Sequence, residues 1–399
     1  MKPIIRFRQY NKEWRPFKLN TILVPSNEKN TKGLYSKNDV LSVSGEAGIV
    51  NQIAFQGRSF AGASVLNYGV VNTNDIVYTK SPLRNNPYGI IKTNNGPSGI
   101  VSTLYAIYNC CEESCPQFVD TYFTSSSRTN NYLRPLVRKG AKNDMKVSSE
   151  GALQGNVIFP YKDEQIEIAS YFRTLDAKLQ ASAKKVDSLK KLKSASLVAM
   201  FPQQGETIPK VRFKGFEGEW STSNLGSIFA ERIESNENGE MLSVTMNNGI
   251  IRSSDNGRFD NSNSDKSKYK VVKIGDIAYN SMRMWQGASG VSQYEGIVSP
   301  AYTVVTPRID VDTDFFGYLF KTDDVIRLFK LNSQGLTSDN WNLKYPAFSR
   351  ICVSYPKSKE EQQSIAAFFR TLDRKIALET ARLEKLKQIK LACLDKMFV

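Results

Sequence analysis

EQIEIASYFRTLDAKLQASAKKVDSLKKLKSASLVAMF, residues 164–201, has a near twin in EQQSIAAFFRTLDRKIALETARLEKLKQIKLACLDKMF, residues 361–398. A shift of 197 residues lays Glu164-Gln165 on Glu361-Gln362, the Phe-Arg-Thr-Leu-Asp run on itself, and Met200-Phe201 on Met397-Phe398. Apolar positions return at roughly three- and four-residue spacing. Leu175, Leu179, Val186, Leu189 and Met200 align with Leu372, Ile376, Leu383, Leu386 and Met397. That spacing puts a stripe along one side of a helix, and Pro160, Pro202 and Pro356 are sensible boundaries. At 1.5 Å per residue each segment makes a rod of about 55 Å. Its stripe, with Lys184, Lys185, Lys190, Lys191 and Lys193 around it, would be wet on a lone rod. Each helix is therefore expected to need the other copy, and a partner's helices too. The alternative is that each packs only on its own domain.

Working outward, the rest of the chain is also doubled. Pro3, Arg6-Phe7 and Glu13-Trp14 return as Pro209, Arg212-Phe213 and Glu219-Trp220. Leu41-Ser42-Val43 and Asp75-Ile76 return as Leu242-Ser243-Val244 and Asp276-Ile277, and Gly99-Ile100-Val101-Ser102 returns as Gly296-Ile297-Val298-Ser299. The shift falls from 206 to 201 to 197, as happens when loops differ and elements do not. A period of about 200 residues is too long for a solenoid, so each copy is read as a domain. Short β-branched and aromatic runs such as Asp75–Tyr78 and Ala301–Val305 predict strands. Gly, Asn, Ser and Pro clusters separate them. Phe118–Phe123 and Phe315–Leu331 predict helical pieces. Each globular part is thus α+β.

Composition narrows the partner. The net charge of +15 points to a polyanion. Residues 1–202 hold 27 Lys and Arg against 15 Asp and Glu, and residues 203–399 hold 27 against 24, so the excess is concentrated in the first copy. No apolar run is long enough to span a bilayer, and the start MKPIIRFRQYNKEW lacks the apolar core of a signal peptide. A cytoplasmic protein is expected. The odd number of cysteines (Cys110, Cys111, Cys115, Cys352, Cys393) argues for free thiols. There is no histidine, which removes imidazole acid/base chemistry, the serine and cysteine triads and most zinc sites.

Catalytic look-alikes fail on inspection. Asn86-Pro87-Tyr88 lacks the second proline of an adenine methyltransferase motif. In Phe213–Gly218, Glu217 stands where a methyltransferase cofactor loop needs glycine for close backbone approach. No phosphate-binding Gly-x-x-x-x-Gly-Lys-Ser/Thr loop occurs. What remains is basic, polar and aromatic loop material at matching points of the repeat. Tyr78, Thr79 and Lys80 with Arg84, Asn85 and Asn86 follow the first Asp-Ile strand. Asn280, Arg283, Trp285 and Gln286 follow the second, with Asn247 in an earlier turn. Arg and Lys read guanine, Asn and Gln read adenine, and lysines hold phosphates without reading sequence. These residues are the candidate DNA contacts, with Trp285 the one best suited to be a packing anchor.

With both copies in view, the chain resembles the specificity subunit of type I restriction-modification systems over its whole length. The resemblance rests on the two Glu-Gln-x3-Ala-x2-Phe-Arg-Thr-Leu-Asp helix starts (164–176 and 361–373), on Tyr161 and Tyr355-Pro356 upstream, on the Gly-Ile-Val-Ser pair, and on Gly275-Asp276-Ile277 with Asn280–Arg283. Phe159-Pro160-Tyr161 departs from Ser354-Tyr355-Pro356 and affects only the helix approach. The resemblance implies two tandem target-recognition domains (1–160 and 206–357), a central helix (161–205) and a C-terminal helix (358–399). The helices would run antiparallel as a coiled coil and give a pseudo-twofold object. Each domain would bind one half of a split site on double-stranded DNA, with the helices fixing the gap. Two methyltransferase subunits carrying S-adenosylmethionine would dock on those helices. Motor-nuclease restriction subunits using ATP and Mg would join for cleavage. The chain itself would hold no cofactor or metal and catalyse nothing. The rival readings are a fused or stand-alone restriction-modification enzyme and a coiled-coil scaffold without DNA contact.

Overall fold

The computed structural model describes residues 1–80, 86–139, 145–246, 248–256, 265–337 and 340–399. Two long helices dominate it, Lys162–Met200 and Lys359–Lys396. Each opens with acidic residues in its first turn, Asp163 and Glu164 in one, Glu360 and Glu361 in the other. Negative charge there complements the partial positive charge of the helix start. Neither contains a proline, and Pro202 stands just past the first.

The chain forms two compact units, and their boundaries fall inside these helices. One comprises Met1–Ala183 with Ala381–Val399; the other is Lys184–Thr380. Each therefore holds one globular segment, the beginning of one long helix and the end of the other. In the first unit the helix segments pair through Lys390 on Asp176 and through Tyr171, whose hydroxyl meets the Cys393 thiol at 3.4 Å. In the second, Lys193 binds Asp373 and Lys185 binds Glu379. As the number on one helix rises its partner's falls, so the pairing is antiparallel within each unit. Among the stripe residues, Leu175, Val186, Met200, Leu372 and Met397 are buried, while Leu179, Leu189, Ile376, Leu383 and Leu386 are half-buried.

The globular segments share one topology. In the first unit a four-stranded sheet runs in the order Leu23–Pro25, Tyr105–Cys110, Ile76–Thr79, Ile91–Thr93. In the second the order is Phe229–Glu231, Tyr302–Pro307, Ile277–Asn280, Ser289–Val291. All pairings are antiparallel, with Ile76 opposite Tyr108 and Thr93, and Ile277 opposite Val305 and Val291. A hairpin lies beside each, Leu41–Ser44 with Gly48–Asn51 and Leu242–Thr245 with Gly249–Arg252. One side of each sheet carries a helix, Pro116–Tyr122 or Thr313–Leu319. The helical reading of Phe315–Leu331 is met by two helices, Thr313–Leu319 and Asp323–Asn332. They break at Phe320–Thr322, where the Thr322 hydroxyl donates to the Leu319 carbonyl at 2.8 Å and closes the turn.

The repeated Arg, Trp and Glu-Gln residues form a clasp that fixes each segment to its helix. Arg6 donates through Nε and Nη2 to Glu164 at 2.7 Å each, and the Trp14 indole N–H reaches the same carboxylate at 3.3 Å. Arg212 grips Glu361 at 2.7 and 2.8 Å, with Trp220 again at 3.3 Å. Both glutamates are 1% exposed, and the bidentate pairing plus the indole satisfies their buried charge. The adjoining glutamines work both ways. Gln165 accepts from the Cys115 backbone N–H at 2.9 Å, at the start of Pro116–Tyr122, and donates to the Pro160 carbonyl at 2.9 Å. Gln362 accepts from Asp312 N–H at 2.8 Å and donates to Pro356 at 2.7 Å. Phe398 and Phe201 close the far ends. Phe398 packs on Trp14, Phe118 and Phe172, and Phe201 on Trp220, Phe315 and Phe369.

Candidate nucleic-acid interface

In each unit, the central strand that follows the Asp-Ile pair delivers a loop. The carboxylate of that pair sets the base of the strand. Asp276, 2% exposed, takes Arg232 in a bidentate pair at 2.7 and 2.9 Å and accepts the Lys273 N–H at 2.8 Å. Asp75 has no arginine; it accepts Asn109 and the Asn72 N–H, each at 2.7 Å. Burial raises the Asp75 carboxyl above its ordinary range, with those hydrogen bonds working against the rise.

In the second unit the strand Ile277–Asn280 ends in a built turn. Asn280 is half-buried, and its side-chain oxygen accepts the Met282 N–H at 3.0 Å. Arg283 is exposed and donates to the Gln286 side chain at 3.3 Å. Trp285 donates to the Met282 carbonyl at 3.1 Å and stands edge-on to Trp341, ring centroids 5.2 Å apart. That arrangement gives Trp285 the anchoring character its residue type suggests and leaves Arg283 free to turn outward. Gly287 ends the turn at φ 79°, a backbone conformation that favours glycine.

The first unit differs. Tyr78 and Thr79, singled out from the sequence as DNA contacts, lie in the core instead. Tyr78 is fully buried and its hydroxyl donates to the Tyr88 carbonyl at 2.7 Å; burial raises its phenol. Thr79 is 3% exposed and accepts the Ile90 N–H at 2.9 Å. Both sit on the four-stranded sheet, where alternate faces are covered by the helix and the hairpin, so neither presents an edge to a duplex. Lys80 is half-buried, donates to the Thr103 carbonyl at 3.3 Å, and has its amine lowered by burial. Asn86 is half-buried, its carbonyl accepting the Gly89 N–H at 3.0 Å. Arg84, Asn85 and Asn247 lie outside the described residues.

One surface went unread in the sequence. After the hairpin, Asn51 caps the short helix Gln52–Gln56 through its side-chain oxygen. Gln52 then accepts the Phe60 N–H at 2.7 Å, tying the following loop back. Phe55 and Phe60 are more than half exposed, and the Arg58 guanidinium lies 4.7 Å over the Phe60 ring. The signal available was Phe55-Gln56-Gly57-Arg58-Ser59-Phe60, an arginine between two phenylalanines, but composition alone does not say which phenylalanines stay outside.

Among the described residues there is no cluster of metal-ligating side chains, and no helix is long and apolar enough to cross a membrane. The five cysteines are unpaired, and burial pushes the Cys110 thiol up to about 11.

Comparison with known proteins finds one family model and several solved structures similar to the chain. Residues 217–388 match the type I restriction modification DNA specificity domain. No curated protein matches the chain. Among solved structures, the chain is similar to the type I restriction-modification S subunit from M. genitalium, at 15% identity and a TM-score of 0.57, covering 100% of this chain and 99% of that one. It is also similar to the HsdS subunit from Thermoanaerobacter tengcongensis, at 17% identity and a TM-score of 0.47, covering 98% of each. Residues 217–388 thus resemble a type I restriction modification DNA specificity domain, and the whole chain has a fold similar to that of a solved S subunit.

Proposed function

We propose that the chain is the DNA sequence-specificity subunit of a type I restriction-modification complex, reading a bipartite site with one half assigned to each unit. The observation that carries this is the doubling of a whole recognition architecture, with the same sheets and the same clasp, around loops whose side chains differ. Duplicating a frame while varying its loops is what reading two different sequences with one scaffold requires, because base edges are discriminated by side-chain chemistry. In this reading Arg283 and Gln286 read bases in the half-site of the second unit. Lys80, Arg84, Asn85 and the Gln52–Phe60 surface serve the first. The long helices set the spacing between half-sites, and their outward apolar residues, Leu378 and Leu391 among them, take two methyltransferase subunits. S-adenosylmethionine, ATP and Mg belong to those partners and to the restriction subunits.

The test is co-expression with an adenine methyltransferase subunit, followed by mapping of methylated adenines across the host DNA. A split motif with a fixed gap is expected. No new methylation and no stable complex would overturn the reading. Binding of the complex to DNA should weaken steeply with salt, since each neutralised phosphate releases counterions; a salt-independent affinity would point to the scaffold reading instead.

A further inference from the structure

The two units brace the exit of the loop with a lysine that arrives from opposite sides. In the first unit Lys92 lies on the strand Ile91–Thr93 and reaches across to the helix Pro116–Tyr122 and its end. Its amine donates to the Thr124 hydroxyl at 3.2 Å and stands 3.4 Å from Asp120. By register, the residue matching Lys92 in the second unit is Gly290, since Val77 pairs with Lys92 and Ala278 with Gly290. A side chain cannot fit there: a Cβ on Gly290 would lie 2.7 Å from Gly249 Cα in the neighbouring hairpin. The residue matching Thr124 is Lys321, and it reaches back. Its amine donates to the Ser289 carbonyl at 2.8 Å and also to the Gly287 carbonyl.

These carbonyls are the last peptide groups of the turn that carries Arg283, Trp285 and Gln286. They follow directly from it, so the amine holds the turn's exit against the helix while the Gly249–Gly290 contact holds it against the hairpin. The residue matching Asp120 is Gly317, which leaves Lys321 with carbonyls in place of a carboxylate. The charged groups around it are Lys193 of the long helix, whose repulsion is felt at the amine, and Asp323 and Asp324, which line the same small cleft. A half-buried amine with two carbonyl partners, and no carboxylate within ion-pair distance among the described residues, is costly unless its geometry is needed.

We propose that Lys321 is a positioning residue for base reading in the second unit, fixing the turn Asn280–Ala288 so that Arg283 meets its half-site in one orientation. This rests on the DNA-reading function proposed above. Truncation removes the amine from the Ser289 carbonyl and leaves the Gly287 carbonyl only the Ser289 N–H, which should relax base preference at that half-site by about tenfold.

The experiment uses the full chain and a pool of randomised duplexes, with Lys321→Met and Lys321→Arg beside the wild type. Lys321→Met should broaden the bases selected in one half-site and leave the other as in the wild type. Lys321→Arg, which keeps charged N–H donors, should restore the preference. Met and Arg variants that behave alike, or a Met variant that selects as the wild type does, would overturn the proposal. Backbone hydrogen exchange decides independently of DNA. Lys321→Met should speed exchange in residues 280–289 and leave residues 86–93 unchanged, and unchanged exchange in 280–289 would overturn the bracing role. A wild-type chain that selects no sequence overturns the DNA reading, and the exchange result then still decides what Lys321 holds.

Discussion

The clasp and the loops of the two units have diverged to very different extents. Arginine to glutamate distances are 2.7 and 2.7 Å in one unit and 2.7 and 2.8 Å in the other, with the indole at 3.3 Å in both. Yet the Asp-Ile carboxylate is held by asparagine in one and arginine in the other, and the bracing lysine has changed sides. A buried, paired charge tolerates no partial change, because either partner alone is worse than both or neither. A loop at a strand end is held by a few bonds that can be supplied from several directions. Under the proposed function, the difference separates what positions the recognition surface from what is free to read.

The largest effects should therefore be equal in the two units. Phe201→Ala and Phe398→Ala each empty a buried aromatic site and should cost about 4 kcal/mol. Urea unfolding followed through Trp220 for the first and Trp14 for the second would measure it. Arg128, whose guanidinium lies 4.5 Å over Phe398 and donates to the Leu394 carbonyl at 2.7 Å, has no basic counterpart at Val325. A cost for Phe398→Ala well above that for Phe201→Ala would trace to that contact. Next, Glu164→Ala and Glu361→Ala strip a half-buried arginine of its partner and should each cost about 3 kcal/mol. A difference of more than about 1 kcal/mol between them would break the equivalence of the clasps.

The third effect is confined to one unit. Arg283→Ala should cost about 2 kcal/mol of binding and relax base preference only in the half-site of the second unit. Equal loss at both halves, measured with half-site variants of the selected duplex, would refute the assignment. Inserting three residues after Leu189 should change the spacer between half-sites. An unchanged spacer in methylation mapping would count against the helices as a ruler.

Much of this was legible in the sequence, and for a physical reason. A helix stripe, a proline boundary and a motif repeated at a fixed shift are properties of the chain's own order, so the two helices, the duplication and the α+β domains could be read directly. Arg6, Trp14 and Glu164 were visible as repeated residues, but a clasp between residues 158 positions apart is a tertiary fact that spacing does not encode. Tyr78 and Thr79 were misread because a strand end and a loop start carry the same residue types. Only the register, with Tyr78 opposite Ala106 and Ile91, shows that the sheet continues through them. Nothing in the sequence around Lys321 sets it apart from other lysines. Its role depends on Gly290 being barred from carrying a side chain, which only packing reveals.

The smallest effect tests that last contrast through pH. Burial lowers the Lys321 amine to about 8, and repulsion from Lys193 adds to it. The unfolded chain hydrates this amine and returns it to the ordinary lysine range, so between about pH 8 and that range the unfolded state binds more protons than the folded one. Stability contributed at this site therefore rises with pH through that window, by about 1 kcal/mol between pH 7 and pH 9. Methionine at 321 binds no proton in either state. The difference in melting temperature between the wild type and Lys321→Met should thus move in favour of the wild type as pH rises. A wild-type-minus-Met difference that stays flat from pH 7 to pH 9 would mean that water reaches the Lys321 amine.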